Sequence, residues 1–237
     1  MQEFTSRKWY YDDRIHVGID YGSAEEVRLY EDEFGQGANR SDEAKELIDA
    51  LRLTNTSTVL DIGTATGTLA IELAKLCKQV HAIDISEPML ECAKAKAKKL
   101  ELSNIEFVYA GFLSYQYADE TMDAVFTKYA FHHLPDHWKF VALKRIYDIL
   151  KPGGKFYLKD AILSVDIQEF YDFADEWVAL ATKGYGQRGE EAAVLFVRDE
   201  YPTYVWIVEE MLGRVGFIID QNETQQKMHT TIVCTKP

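Results

Sequence analysis

The residues with the clearest chemical potential form one short run, Val59-Leu-Asp-Ile-Gly-Thr-Ala-Thr-Gly-Thr-Leu-Ala70. Apolar residues lead into a glycine-bearing turn, and an amphipathic stretch follows. A strand, a loop and a helix in that order bring backbone N–H groups up to a ligand at the helix N-terminus. A second acid, Asp84, lies 21 residues beyond Gly63 at the end of the next apolar run. A carboxylate there can accept hydrogen bonds from both ribose hydroxyls of a nucleoside. A dinucleotide requires G-x-G-x-x-G so that the backbone can approach a pyrophosphate. Here the spacing is D-x-G-x-x-x-G, with Asp61 two positions before Gly63 and Gly67 closing the turn. An acid at that point suits a cofactor bearing an ammonium group rather than one bearing phosphates.

A second cluster is Phe131-His132-His133-Leu134-Pro135. Histidine changes charge near neutral pH, so one of the pair could act as a general base. His132 is the catalytic candidate, and capping or packing of the loop is its competing role. His133 and His137 stand four apart, a metal-ligand spacing on a helix. Pro135 lies between them and no glutamate accompanies them, so no metal is expected. The basic run Lys94-Ala-Lys-Ala-Lys-Lys99 alternates with alanine and reads as a solvated helix face rather than an anion site.

The elements that must position these residues fall into three parts. Residues 1–56 open with aromatics and then offer two helices, capped at Ser23 and Ser41 and each followed by acids. Leu47, Ile48 and Leu51 give the second an apolar face. Residues 57–160 alternate strands with helices. Strands are expected at Thr58–Ile62, Gln79–Asp84, Asn104–Tyr109, Met122–Thr127 and Lys155–Asp160. Ser86 caps one helix with Pro88 in its first turn, and Lys151-Pro-Gly-Gly ends another. Such alternation implies an α/β fold, a Rossmann-like doubly wound sheet that is mostly parallel. Residues 161–215 read as a helical lid insertion, with helices at Ile167–Thr182 and Pro202–Val215 and a flexible loop, a potential gate, at Gly184–Gly189. Residues 216–237 close the chain with two strand-like runs near enough to pair as an antiparallel hairpin at the sheet edge.

Taken together, these motifs resemble the class I S-adenosylmethionine-dependent methyltransferases. Asp61-Ile-Gly-Thr-Ala-Thr-Gly67 is similar to the family's first motif, and Asp84 to its ribose-binding acid. Met122-Asp-Ala-Val-Phe-Thr-Lys-Tyr-Ala-Phe-His-His-Leu-Pro135 resembles the fourth strand and its loop, and Leu150-Lys-Pro-Gly-Gly-Lys-Phe156 the turn before the fifth. The resemblance covers residues 57–160 motif by motif and extends to about residue 235. It is greatest for the small-molecule branch that includes the ubiquinone and menaquinone C-methyltransferases. One domain over residues 1–237 is implied. Gly63, Thr64, Ala65 and Gly67 would line the methionine and ribose portions of S-adenosylmethionine. Ile85 and Met89 would flank its adenine, and Thr127 and Lys128 would lie beside the sulfonium. Two positions depart from the pattern. Ala65 stands where the family has its middle glycine, which narrows the backbone conformations available. The acid that often follows the third strand is missing from Ala110-Gly111-Phe112, so adenine is expected to meet backbone groups near Gly111 and the Phe112 ring.

In the resembled family, segments outside the sheet hold the substrate. Residues 1–56 carry Phe4, Trp9, Tyr10, Tyr11, Tyr21, Tyr30 and Phe34. Aromatic rings can exclude water from a sulfonium and stabilise its charge by cation–π contact. Tyr21 and Tyr30 are the two expected near the cofactor. Tyr129, His133, Arg198, Tyr204 and Trp206 are the substrate-facing candidates, with Tyr201 in the same polar-aromatic cluster; ordinary packing competes with this role at each.

Composition limits the partners. The chain has 39 acidic and 26 basic residues in 237, a formal charge of −13, with 47% hydrophobic residues. That apolar content supports a buried core, and the acidity argues against nucleic acid and against anionic membrane surfaces. The excess is uneven. Residues 57–160 hold 13 acids and 13 bases, residues 1–56 hold 13 and 7, and residues 161–237 hold 13 and 6. A negative rim on the covering segments favours a neutral or cationic acceptor. Three separated cysteines, no signal-peptide core and no long apolar run lead us to expect a reduced, cytoplasmic protein without a membrane segment. The expected reaction is in-line methyl transfer to a small molecule. Two alternatives stay open: binding of the cofactor without methyl transfer, and an NAD(P)-dependent oxidoreductase, which the loop spacing disfavours.

Overall fold

The computed structural model describes residues 7–32 and 40–237, so Phe4 and Phe34 lie outside the described residues. Two helices precede the sheet, α1 (Ala24–Tyr30) and α2 (Arg40–Leu51). The alternating region supplies β1 (Thr58–Ile62), α3 (Thr68–Ala74), β2 (Gln79–Asp84), α4 (Glu87–Lys99), β3 (Ile105–Tyr109), β4 (Met122–Lys128), α5 (Asp136–Ile149) and β5 (Leu150–Leu163). Then come α6 (Phe170–Arg198), β6 (Thr203–Tyr204), α7 (Val205–Val215), β7 (Ile218–Gln225) and β8 (His229–Thr235).

The strands are ordered β3-β2-β1-β4-β5-β8-β7, with β6 paired to β5 off that path. The first five are mutually parallel, while β8 runs antiparallel to both β5 and β7. The direction of winding reverses between β1 and β4, and in such sheets ligands bind outside the carboxyl ends of the strands at that point. Alternate side chains serve opposite faces. Leu60, Ile62, Val125, Phe156 and Ile232 pack with α5 and α7 residues such as Ile146 and Leu212. Val59, Ala82, Phe126, Tyr157 and Val233 pack with Leu47 and Leu51 of α2 and Leu73 of α3. With helices on both faces, β1 and β4 are buried along nearly their whole length.

Several expectations change at element boundaries. Ser23 caps α1, its hydroxyl accepting from Glu26 N at 3.1 Å. Helix α2 already includes Arg40, so Ser41 lies inside its first turn rather than at its cap. Strand β5 has 14 residues and is longer than expected at both ends: it starts at Leu150, opposite Met122, and its far end runs on past Asp160. There Ile162 and Leu163 pair with Thr203 and Tyr204. Ala161, Leu163, Val165 and Met228 form a separate cluster with Phe173, Trp177 and Phe196 of α6. Gly184–Gly189 is not a loop. Helical structure continues through it, broken at Gly186, whose φ of 65° and ψ of −149° join two helical pieces. Among the described residues, no helix is long and apolar enough to cross a membrane.

Candidate functional site

The glycine turn is built by backbone geometry. Gly63 and Gly67 have φ of 78° and 73°, in the left-handed region that side chains resist. Space is short as well: a Cβ on Gly67 would stand 2.7 Å from Ala93 Cβ, and one on Gly63 2.5 Å from Ala130 Cβ. Ala65 also has a positive φ, 48°, and takes the turn despite its methyl group. The amides of Gly63 and Thr64 both donate to Ile83 O, at 2.9 and 3.0 Å, which pins the turn to the end of β2.

Asp84 closes the other side. Its Oδ2 accepts from Ala65 N and its Oδ1 from Ser86 N, both at 2.8 Å. Each oxygen therefore has one backbone donor and keeps acceptor capacity for another partner, as a pair of ribose hydroxyls would require. Asp61 is 3% exposed beneath the turn. Burial, reinforced by the neighbouring Asp84 charge, pushes its pKa up to about 7 against the opposing effects of Thr64 and Lys128. A buried acid poised near neutrality suits a ligand that brings a positive charge.

The segment from Tyr10 to Tyr21 is a strap across the carboxyl ends of the strands. Tyr10 Oη donates to Leu113 O at 3.3 Å, and Asp13 Oδ2 accepts from Leu113 N at 2.6 Å. At its other end Ser86 Oγ donates to Tyr21 O at 2.7 Å and also caps α4 by accepting from Met89 N at 3.2 Å. Tyr10 and Tyr11 pack on Trp138, with ring centroids 5.1 and 5.9 Å away. Midway, the Glu200 carboxylate occupies the space where a side chain on Gly18 would begin. Asp13 lies against Gly111 in the same way. The third-strand position that lacks an acid in sequence thus has a buried one beside it, supplied by the strap.

Beyond the turn lies a polar network. Asp160, at the sheet end of β5, is fully buried. Its Oδ2 accepts from Ala130 N at 3.1 Å and Phe131 N at 2.6 Å. Its Oδ1 takes Ala161 N at 2.6 Å and contacts His132 Nδ1 at 2.5 Å. The other nitrogen of that ring, Nε2, stands 3.3 Å from Glu200 Oε2. Burial works against a charged His132, but Asp160 and Glu200 outweigh it and raise its pKa. For the adjacent His133, burial and the His132 charge lower the pKa to about 3. Lys139, completely buried, anchors the covering segment by donating to Tyr201 O at 2.5 Å and Asp136 Oδ1 at 3.1 Å.

The methyltransferase-domain family profile matches residues 59–154. An uncharacterized methyltransferase of Anoxybacillus flavithermus is 31% identical over 162 residues, 68% of this chain and 69% of that protein. Another, from Bacillus cereus, is 33% identical over 159 residues, 67% of this chain and 68% of that one. The chain belongs to the class I S-adenosylmethionine-dependent methyltransferases. Solved structures agree on the fold of this chain. Haemonchus contortus phosphoethanolamine N-methyltransferase 2, in complex with S-adenosyl-L-methionine, superposes with a TM-score of 0.71 at 20% identity, over 97% of this chain and 61% of that one. A SAM-dependent methyltransferase of Aquifex aeolicus gives 0.63 at 19%, over 91% and 99%.

Within the chain, Asp61, Gly63, Thr64, Ala65, Gly67 and Asp84 lie together at the turn, with Ile85 next to Gly111. Met89 is 2% exposed in the α4 face, and Phe112 joins the core with its ring edge-on to Phe131 at 5.6 Å. Thr127 is fully buried and donates to Ile62 O at 2.8 Å, tying β4 to β1. Lys128 is paired with Glu43 of α2 at 2.6 Å. Tyr21 and Tyr30 contact each other edge to face at 6.0 Å. The substrate-facing candidates are dispersed. Tyr129, with a φ of 52°, is 40% exposed, and its hydroxyl is 3.4 Å from His229 Nδ1. Tyr204 packs beneath α6. Arg198 is exposed and paired with Asp199, and Trp206 is 65% exposed. Lys96 departs from the solvated-face reading: its ammonium reaches Glu31 at 2.9 Å and Thr68 at 3.0 Å, linking α4 to α1 and α3. Asp13, Ser86, Asp160 and Glu200 were not singled out as site residues by sequence. Only Asp160 had a usable signal, an acid at the carboxyl end of a central strand.

Proposed function

We propose that this chain transfers the methyl group of S-adenosylmethionine to a small-molecule acceptor held beneath the strap. The observation that carries the reading is Asp84, one backbone amide on each oxygen, facing a left-handed glycine turn over the buried acid Asp61. In this reading one domain divides the work: residues 57–160 hold the cofactor, and residues 1–56 and 161–215 cover the acceptor. Asp84 holds the ribose, the Gly63–Gly67 turn the methionine portion, and Asp61 the ammonium. The cofactor supplies an activated methyl group on a sulfonium. The protein's share is alignment and exclusion of water. The strap and Glu200 provide the exclusion, and His132, oriented by Asp160, serves the acceptor rather than the cofactor. The acidic covering segments favour a neutral or cationic acceptor, and the small-molecule branch typified by quinone methyltransferases remains the working comparison.

The test is transfer of label from methyl-labelled S-adenosylmethionine into a fractionated metabolite extract, with tRNA and protein fractions alongside. Label in the small-molecule fraction is expected. Label confined to RNA or protein would overturn the acceptor class. Binding of S-adenosylhomocysteine with no transfer to any fraction would favour a non-methylating role. The fold admits that alternative, since the [4+2]-cyclase SpnF superposes with a TM-score of 0.64 at 17% identity.

A further inference from the structure

We propose that His132, His133 and Glu200 form a binding site for one divalent first-row transition-metal ion. One ligand atom from each residue lies within 4.8 Å of the other two. The rings of His132 and His133 are drawn together on a single turn of 3₁₀-helix, their centroids 4.2 Å apart.

The site has more acceptors than protons to fill them. Asp160 is a fixed acceptor: two backbone amides hold one oxygen, and the amide of Ala161 shares the other with His132 Nδ1. The proton of a neutral His132 therefore sits on Nδ1, and Nε2 presents a lone pair. Glu200 favours a proton on Nε2; without that proton the lone pair faces Glu200 Oε2 at 3.3 Å, two acceptors that a cation would bridge. His133 adds a third acceptor. Its ring bonds to the backbone of Val17, while Nδ1 is buried without a hydrogen-bond partner among the described residues. A proton on Nε2 would satisfy His132 and Glu200 but leave His133 Nδ1 orphaned. A metal ion satisfies all three.

The surroundings match a metal centre. A ligating histidine usually donates its second ring nitrogen to a carboxylate or a backbone carbonyl, which fixes its tautomer. Here Asp160 does this for His132, and the backbone of Val17 is the corresponding partner for His133. Asp160 and Glu200 together carry two negative charges, balanced by a dication. Two imidazoles and one carboxylate leave open coordination positions, a donor set that suits Fe²⁺, Co²⁺, Mn²⁺ or Zn²⁺ over Mg²⁺ or Ca²⁺. The pair His133 and His137, which the sequence spacing brings to mind, is not involved; the His137 ring packs on Trp138 at 5.1 Å. The three ligands lie apart from the glycine turn and do not depend on methyl transfer.

The test is titration of the metal-stripped full chain with CoCl₂, followed by visible absorption, with elemental analysis of the metal retained after desalting. One Co²⁺ per chain with ligand-field bands is expected. His133→Asn and Glu200→Gln should each weaken binding at least about ten-fold, and Asp160→Asn about 10–100-fold. Glu200→Gln leaves the β5 end and the histidine turn unaltered, so it remains informative if a histidine variant misfolds. Absence of stoichiometric binding, or binding unchanged in both His133→Asn and Glu200→Gln, overturns the site. Calorimetry with S-adenosylhomocysteine on the same samples separates this outcome from failure of the methyltransferase reading.

Discussion

Among the described residues Asp61 accepts no hydrogen bond from a backbone amide, and burial raises its pKa to about 7; burial also raises that of Asp84, against the amides of Ala65 and Ser86. The sign of the consequence follows from linkage. The folded value lies above the unfolded one, so the contribution of Asp61 to stability is full below about pH 4 and is lost as pH rises to about 7. A ligand ammonium reverses the preference and favours the carboxylate. Cofactor affinity should therefore rise about ten-fold between pH 6 and pH 8, with proton release below neutrality. Calorimetry in two buffers of different ionisation enthalpy measures both, and Asp61→Asn should flatten the profile. A wild-type affinity that falls over this interval would show that Asp61 does not meet the ammonium. Asp61, Gly63 and Gly67 were legible because they lie within one strand–turn–helix unit, and Asp84 because it ends the strand that follows. Glu200 and Asp13 were not. Glu200 meets His132 from the far side of the covering insertion, and Asp13 is 100 positions from Leu113. Nothing local in the sequence records such a contact.

Elements were legible where periodicity and caps agree, as at Ser86, whose hydroxyl starts α4. That hydroxyl does two jobs, since it also holds Tyr21 O of the strap. Ser86→Ala should cost about 1 kcal/mol through the lost cap. It should also speed amide hydrogen exchange in residues 10–21 while leaving β1 and β4 protected; unchanged exchange in the strap would show that Ser86 does not fasten it. The covering helix α6 was read wrongly at Gly184–Gly189 because glycines signal turns, and here a single one breaks a helix. A Cβ at Gly186 would meet nothing within 4 Å, so the penalty for Gly186→Ala is purely backbone strain at φ 65°. The expected loss is about 1–3 kcal/mol, seen as a Tm lower by ~2–4 °C per kcal/mol. An unchanged Tm would mean that the two helical pieces straighten freely.

At the scale of the whole molecule, the alternation of strands and helices was enough to give the sheet and the side on which ligands bind, because connection rules leave few topologies. The route of the strap and the joining of β5 to β6 were beyond it, since both depend on where the covering segments settle. Charge follows the same division. Residues 57–160 are balanced, with 13 acids and 13 bases, and the whole excess of −13 belongs to the segments around them. Such a surface should not retain tRNA at moderate salt, and a filter-binding assay showing tight, salt-sensitive retention would refute that. The most direct test of the central claim is calorimetric titration with S-adenosylhomocysteine of the wild-type chain and of Asp84→Ala. One equivalent should bind the wild type, and the variant should bind about 100-fold more weakly through loss of two charge-assisted hydrogen bonds. Binding of NADH or NADPH, with no heat from S-adenosylhomocysteine, would contradict the account.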